Sequence, residues 1–126
     1  MSFEVGVVAH FNARHHLVGD FGPATLPHAH AYRVEASVVG GSLREDGTLF
    51  DITRLQDALS AALGDLEGRD LNEVAGLAQP NPSAEGVARY LFERIAARLS
   101  NDGLDRLQTR VWESPEAYAG YTGELA

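Results

Sequence analysis

From residue 3 the chain alternates. Phe3, Val5, Val7, Ala9, Phe11 and Ala13 fall on one side, with Glu4, His10, Asn12 and Arg14 on the other. A period of two with one apolar face predicts a half-buried strand. Continued, it carries His15 onto the apolar side and turns His16 away. Residues 17–27 include Gly19, Gly22, Pro23 and Pro27, and predict a loop. Alternation resumes at His28, with His30, Tyr32, Val34, Ala36 and Val38 on the same face, and stops at Gly40-Gly41. A loop joining the two strands at their histidine ends predicts an antiparallel pair.

The period then changes. After a connector over residues 42–50, Asp51 is placed to cap a helix. Ile52, Leu55, Ala58, Leu59, Ala62 and Leu63 form one stripe of it, and Gly64 ends it. Residues 64–82 are rich in glycine, proline and asparagine. Pro82 and Ser83 open a second helix, Ser83 as its cap, with Val87, Leu91, Ile95 and Leu99 as the buried stripe and Ser100-Asn101-Asp102-Gly103 as the stop. Residues 105–113 alternate again, with Leu107, Thr109, Val111 and Glu113 opposite Arg106, Gln108, Arg110 and Trp112. Pro115 breaks this strand, and a short one over Ala117–Tyr121 follows. The predicted order is ββ-α-α-ββ, an α+β domain spanning residues 1–126, with two helices on one face of a four-stranded antiparallel sheet.

Composition narrows the function. Of 126 residues, 18 are acidic and 10 basic, giving a net charge of −8. That disfavours nucleic acid and anionic membranes, which reward a basic face. The absence of cysteine removes disulfides, thiolate ligands and cysteine nucleophiles. The N-terminus lacks the basic-then-apolar pattern of a signal peptide. No apolar run approaches the ~20 residues of a membrane span. The expectation is a cytoplasmic protein acting on a small molecule.

The chemistry gathers at one end. All five histidines (His10, His15, His16, His28, His30) lie within residues 10–30. His28 and His30 share a strand face, roughly 6.6–7 Å apart along the backbone. His15 stands across the loop on the matching face of the neighbouring strand. Three imidazoles with an open fourth position are the pattern of a catalytic zinc site; the plainer reading is histidines that hydrogen-bond within a turn. His10 and His16 read as surface or supporting residues. Glu113 is an acid on an apolar strand face, so it needs a partner. A ring with adjacent N–H donors would suit it, as would an arginine at the rim. Glu85 favours the start of the second helix, and Trp112 and the tyrosines read as packing residues.

These residues resemble the family of 6-pyruvoyl-tetrahydropterin synthase and the 6-carboxy-tetrahydropterin synthase of queuosine biosynthesis. Phe11-Asn12-Ala13-Arg14-His15 is similar to the family's F-S-A-x-H, and His28-Ala29-His30-Ala31-Tyr32 to H-G-H-x-Y. Gly47-Thr48-Leu49-Phe50-Asp51 resembles G-M-V-x-D, Leu71-Asn72 the end of L-D-H-x-x-L-N, and Asn81-Pro82-Ser83-Ala84-Glu85 N-P-T-A-E. Val111-Trp112-Glu113 matches the strand bearing the glutamate that anchors the pterin. The resemblance implies the tunnelling fold, zinc on His15, His28 and His30, and a pterin-like substrate held by Glu113 with Ser83 nearby. It also implies a homo-oligomer, a hexamer built as a dimer of trimers.

The chain departs from the family in its proton-moving set. Ala24 and Gly22 stand where the two branches carry the catalytic cysteine, and Glu67 and Gly68 where L-D-H has aspartate and histidine. Glu67 is the first substitute to consider, with Asp20, His16 and His10 as others. The expected function is a zinc-dependent lyase acting on a dihydropterin such as dihydroneopterin triphosphate, with an altered proton relay. The alternatives are a zinc- and pterin-binding homologue without turnover, and a tunnelling-fold enzyme for another small heterocycle.

Overall fold

The computed structural model describes residues 1–100 and 102–125. Strands β1 (Phe3–His15), β2 (His28–Gly40), β3 (Arg106–Ser114) and β4 (Ala117–Glu124) form one antiparallel sheet in the order β1-β2-β3-β4. Helices α1 (Ile52–Gly64) and α2 (Ala84–Ala96) interrupt the strands between β2 and β3. Helix α1 packs against β1, and α2 against β3 and β4. This is the expected ββ-α-α-ββ order. Among the described residues, no helix is long and apolar enough to cross a membrane.

The alternating faces decide what is buried. Phe11, Tyr32, Val34, Val38, Leu107 and Val111 turn inward from the sheet and meet Leu55, Leu59, Val87, Leu91 and Ile95 of the helices. Each such side chain, fully removed from water, stabilises the fold by roughly 1.5–3 kcal/mol. The Asp51 carboxylate caps α1 by accepting the Thr53 N–H at 2.9 Å. The Ser83 hydroxyl caps α2 by accepting the Gly86 N–H at 3.1 Å.

Three expectations are corrected. Ile52 is 51% exposed, because as the first residue of α1 it lies before the helix turns its stripe beneath the sheet. Helix α2 ends at Ala96 rather than reaching Leu99, its last turn tightening so that the Arg98 and Leu99 N–H groups donate to Ile95 and Ala96. Of the expected stop, Asn101 lies outside the described residues, and Asp102 and Gly103 both have positive φ. Strand β4 runs on to Glu124, with Thr122, Gly123 and Glu124 opposite Gln108, Leu107 and Arg106. A Cβ at Gly123 would lie 2.6 Å from the Phe92 ring, so a side chain there would need that ring to move.

Two features fix the histidine corner. The β1–β2 ladder runs unbroken from Phe3↔Gly40 to His15↔His28. Beyond it, two asparagine side chains take the place of a strand neighbour. Asn72 accepts the His16 N–H at 2.9 Å and donates to the His16 carbonyl at 3.0 Å. Asn81 does the same for Val18, at 2.8 and 3.1 Å.

Candidate functional site

The register places His15 and His28 side by side and His30 one strand repeat further along β2. One ligand nitrogen from each of the three lies within 4.8 Å of the others. His15 is only 3% exposed, while His28 and His30 are half-buried. Their rings meet edge-on, with centroids 4.5 to 5.1 Å apart.

Backbone carbonyls orient two of these rings. His15 Nδ1 is 2.7 Å from the Pro82 carbonyl, and His28 Nδ1 is 2.8 Å from the Leu26 carbonyl. A carbonyl only accepts, so each Nδ1 carries the proton, and in the neutral ring Nε2 keeps its lone pair. Imidazoles held this way through the far nitrogen are the usual supports of a metal ligand. The buried Nε2 of His30 has no hydrogen-bond partner among the described residues. The donor set therefore fits a zinc-type ion: three imidazole nitrogens, two of them preset by main-chain acceptors.

Glu113 joins this cluster from β3. Its Oε2 is 2.9 Å from His30 Nε2 and 3.4 Å from His15 Nε2, and its side chain is 34% exposed. The His15 imidazole holds the Glu113 carboxyl below its usual range, against the effect of burial, with the charges of His30, His15 and His28 assisting. Burial disfavours the charged form of His15, but Glu113 and the Pro82 carbonyl outweigh it and raise its pKa. Burial lowers that of His30, and Glu113 only partly offsets this.

The other predicted residues are engaged elsewhere. The Glu67 carboxylate accepts the Asn12 N–H at 2.8 Å, on the outer edge of β1. The same edge is lined further by Gly68 N–H donating to Asn12 O and Arg14 N–H donating to Arg69 O. Ser83 caps α2, next to the Pro82 carbonyl that holds His15. His16 is clasped by Asn72.

Sequence reasoning missed the Leu26 and Pro82 carbonyls, which carry no side-chain signal. Tyr32, read from the sequence as a packing residue, packs as expected. This residue is fully buried, stacked on Phe11 at 4.6 Å, with its ring 5.2 Å from that of His30. Its hydroxyl has no hydrogen-bond partner among the described residues, and burial, aided by the Glu113 charge, raises its pKa well above the usual phenol range.

Beside the cluster lies a pocket of about 640 Å³ at the histidine end of β2 and the end of β3. His30 and Glu113 form one wall, and His10, Arg33 and Trp112 another.

Residues 4–124 match the family model described as 6-pyruvoyl tetrahydropterin synthase. The chain is 30% identical over 120 residues to a Pyrococcus horikoshii protein provisionally named 6-carboxy-5,6,7,8-tetrahydropterin synthase, covering 78% of this chain and 75% of that one. It is 31% identical over 90 residues to the dihydroneopterin monophosphate aldolase of Pyrococcus furiosus, covering 71% and 72%. The structure of Caenorhabditis elegans 6-pyruvoyl tetrahydropterin synthase superposes with a TM-score of 0.83 at 24% identity, over 98% of this chain and 97% of that one. Four antiparallel strands with two helices on one face are the tunnelling fold, and the chain belongs to the 6-pyruvoyl tetrahydropterin synthase family.

Proposed function

We propose that the chain is a zinc-dependent lyase of the 6-pyruvoyl/6-carboxy-tetrahydropterin synthase type, acting on a dihydropterin such as dihydroneopterin triphosphate. The observation that carries this reading is the histidine cluster: three ligand nitrogens within 4.8 Å, with two Nδ1 atoms committed to carbonyls. His15, His28 and His30 would hold the ion. A zinc ion held by them would supply Lewis-acid polarisation of a hydroxyl or carbonyl oxygen of the substrate side chain, making the neighbouring C–H more acidic. The Glu113 carboxylate would accept from the guanidine-like N–H edge of the pterin ring, and Ser83 would contribute a further substrate contact. Glu67 moves a proton, exchanging its bond to Asn12 for the substrate.

The test is to measure zinc in the purified protein, then incubate it with dihydroneopterin triphosphate and follow products by mass spectrometry. A zinc-loaded protein that neither binds nor converts any dihydropterin sinks the reading.

One relative favours a second reaction on the same carbons. The Pyrococcus furiosus protein is named an aldolase for dihydroneopterin monophosphate. Aldol cleavage releases a two-carbon aldehyde that still carries the phosphate ester, whereas elimination frees inorganic phosphate from the monophosphate or triphosphate from the triphosphate. Assaying both products, with mono- and triphosphate substrates, separates the two. The open edges of the sheet support assembly into the homohexamer of two trimers that the family resemblance implies, and a cytoplasmic location accords with the chain's composition.

A further inference from the structure

We propose that strand β4 of a second copy adds to β1 in a single register, with Val8 opposite Tyr118, and that the hydrogen-bonded cover over residues 12–18 limits where it can add. The inference rests on the assembly reading above.

The free edge of β1 has a defined end. Alternate residues turn their N–H and C=O groups away from β2, and from Asn12 onward these groups are engaged. Glu67 and Gly68 hold Asn12, and the Arg69 carbonyl accepts the Arg14 N–H. Asn72 and Asn81 hold His16 and Val18. Before that point, the edge groups of Glu4, Gly6, Val8 and His10 face no strand among the described residues. At the other side of the sheet, the Leu125 N–H turns inward to the Asp105 carbonyl. The alternate residues Tyr118, Gly120, Thr122 and Glu124 therefore turn their groups outward. Strands β1 and β4 run in opposite directions. Side-by-side copies thus join the two edges as an antiparallel pair, and a closed ring of them leaves no edge open.

Charge and side-chain size select the register. Hydrogen bonding requires the outward-turned residues of one edge to oppose those of the other. The cover blocks any pairing that sets Tyr118 at Asn12 or beyond. Tyr118 opposite His10 would put Glu4 directly against Glu124, two like charges. Tyr118 opposite Gly6 would put Val8 against Glu116. With Tyr118 opposite Val8, two side chains that are each 52% exposed cover one another, and Glu4 meets Thr122. On the helix side of the sheet, Val5 then lies beside Tyr121, and the exposed Phe3 ring beside Gly123, an aromatic against a glycine. The four exposed large apolar side chains of β1 and β4 are Phe3, Val8, Tyr118 and Tyr121, and this register engages all of them.

The chain has no cysteine, so each introduced pair reports one contact. Within one chain β1 and β4 stand three strand spacings apart, roughly 14 Å. That is too far for a disulfide, so any link joins two copies. Val8→Cys with Tyr118→Cys, and Glu4→Cys with Thr122→Cys, probe the proposed register. His10→Cys with Tyr118→Cys, and Val8→Cys with Glu116→Cys, probe its two neighbours. Each variant is checked for folding by circular dichroism and for assembly by sedimentation. It is then oxidised with glutathione disulfide and run on a denaturing gel without reductant. The first two pairs should shift the 13.6 kDa chain into covalent multimers, and the other two should leave it at the chain mass. Preferential linking by either neighbouring pair overturns the register and leaves the assembly standing. An assembled protein in which none of the four pairs links shows that other surfaces meet, which also overturns it. A wild type that sediments at the chain mass removes the assembly reading and this inference together.

Discussion

Single hydrogen bonds tie the sheet to the helices at named points. Thr109 is buried on the inner face of β3, and its hydroxyl donates to the Ala88 carbonyl of α2 at 2.7 Å. Thr109→Val keeps the shape and removes the bond. It should lower stability by about 1 kcal/mol, read from urea denaturation, with zinc affinity unchanged. At this scale the site was legible wherever a side chain followed the strand period. His15, His28, His30 and Glu113 could all be assigned to the inner face, because a period of two leaves each residue only one choice. What orients them was not legible. The Pro82 and Leu26 carbonyls belong to residues whose side chains say nothing about where their main-chain oxygens point. Glu67 was read by its place in a motif, and its bond to the Asn12 N–H depends on a non-local approach to the β1 edge.

Among the elements, α2 links the core to the site. Its cap residue Ser83 follows Pro82, whose carbonyl fixes His15, so the start of the helix and the orientation of the imidazole are set together. Ser83→Ala should cost about 1 kcal/mol of stability, and Ser83→Gly only a few tenths, both measured by thermal melting. A loss of turnover common to both variants would come from a lost substrate contact, since only Ser83→Ala weakens the cap appreciably. If the two variants are equally destabilised, the hydroxyl is not acting as the cap. Strands β1, β2 and β3 were readable because each sets one apolar face on the core. Strand β4 was read too short because Gly120, Tyr121, Thr122 and Gly123 offer no such alternation. Its length comes from pairing with β3 and from the close fit of Gly123 against Phe92. The short 3-10 turns at Gly22–Thr25 and Leu71–Glu73 gave no periodic signal.

Across the whole molecule, the two sheet edges differ. The β1 edge is covered at Asn12 and Arg14 by residues 67–70, while the stretch before it carries the exposed Phe3 and Val8. Strand β4 forms the opposite edge and exposes Tyr118 and Tyr121. Uncovered edges with exposed apolar side chains invite pairing with other copies. Sedimentation at micromolar concentration should give six times the 13.6 kDa chain mass, and a species at the chain mass alone would rule the assembly out.

The paired amides of Asn72 and Asn81 have a practical consequence. They stitch the chain down only as far as Val18, and the β1–β2 ladder takes hold again at His28. These stitches and the ladder are two fixed rails. Leu26 belongs with the second, because its carbonyl orients His28, and residues 19–25 behave as a cassette clipped between the two. Lengthening it by a Gly-Ser pair after Asp20 should leave zinc affinity within about 3-fold, because neither rail moves and long surface insertions are thermodynamically mild. Equilibrium zinc titration of the insertion variant would check this, and a large loss would mean that the loop itself holds the histidines. If the rails suffice, loops from relatives could be exchanged into this chain to alter which side chains stand beside the histidine cluster, without rebuilding the cluster itself.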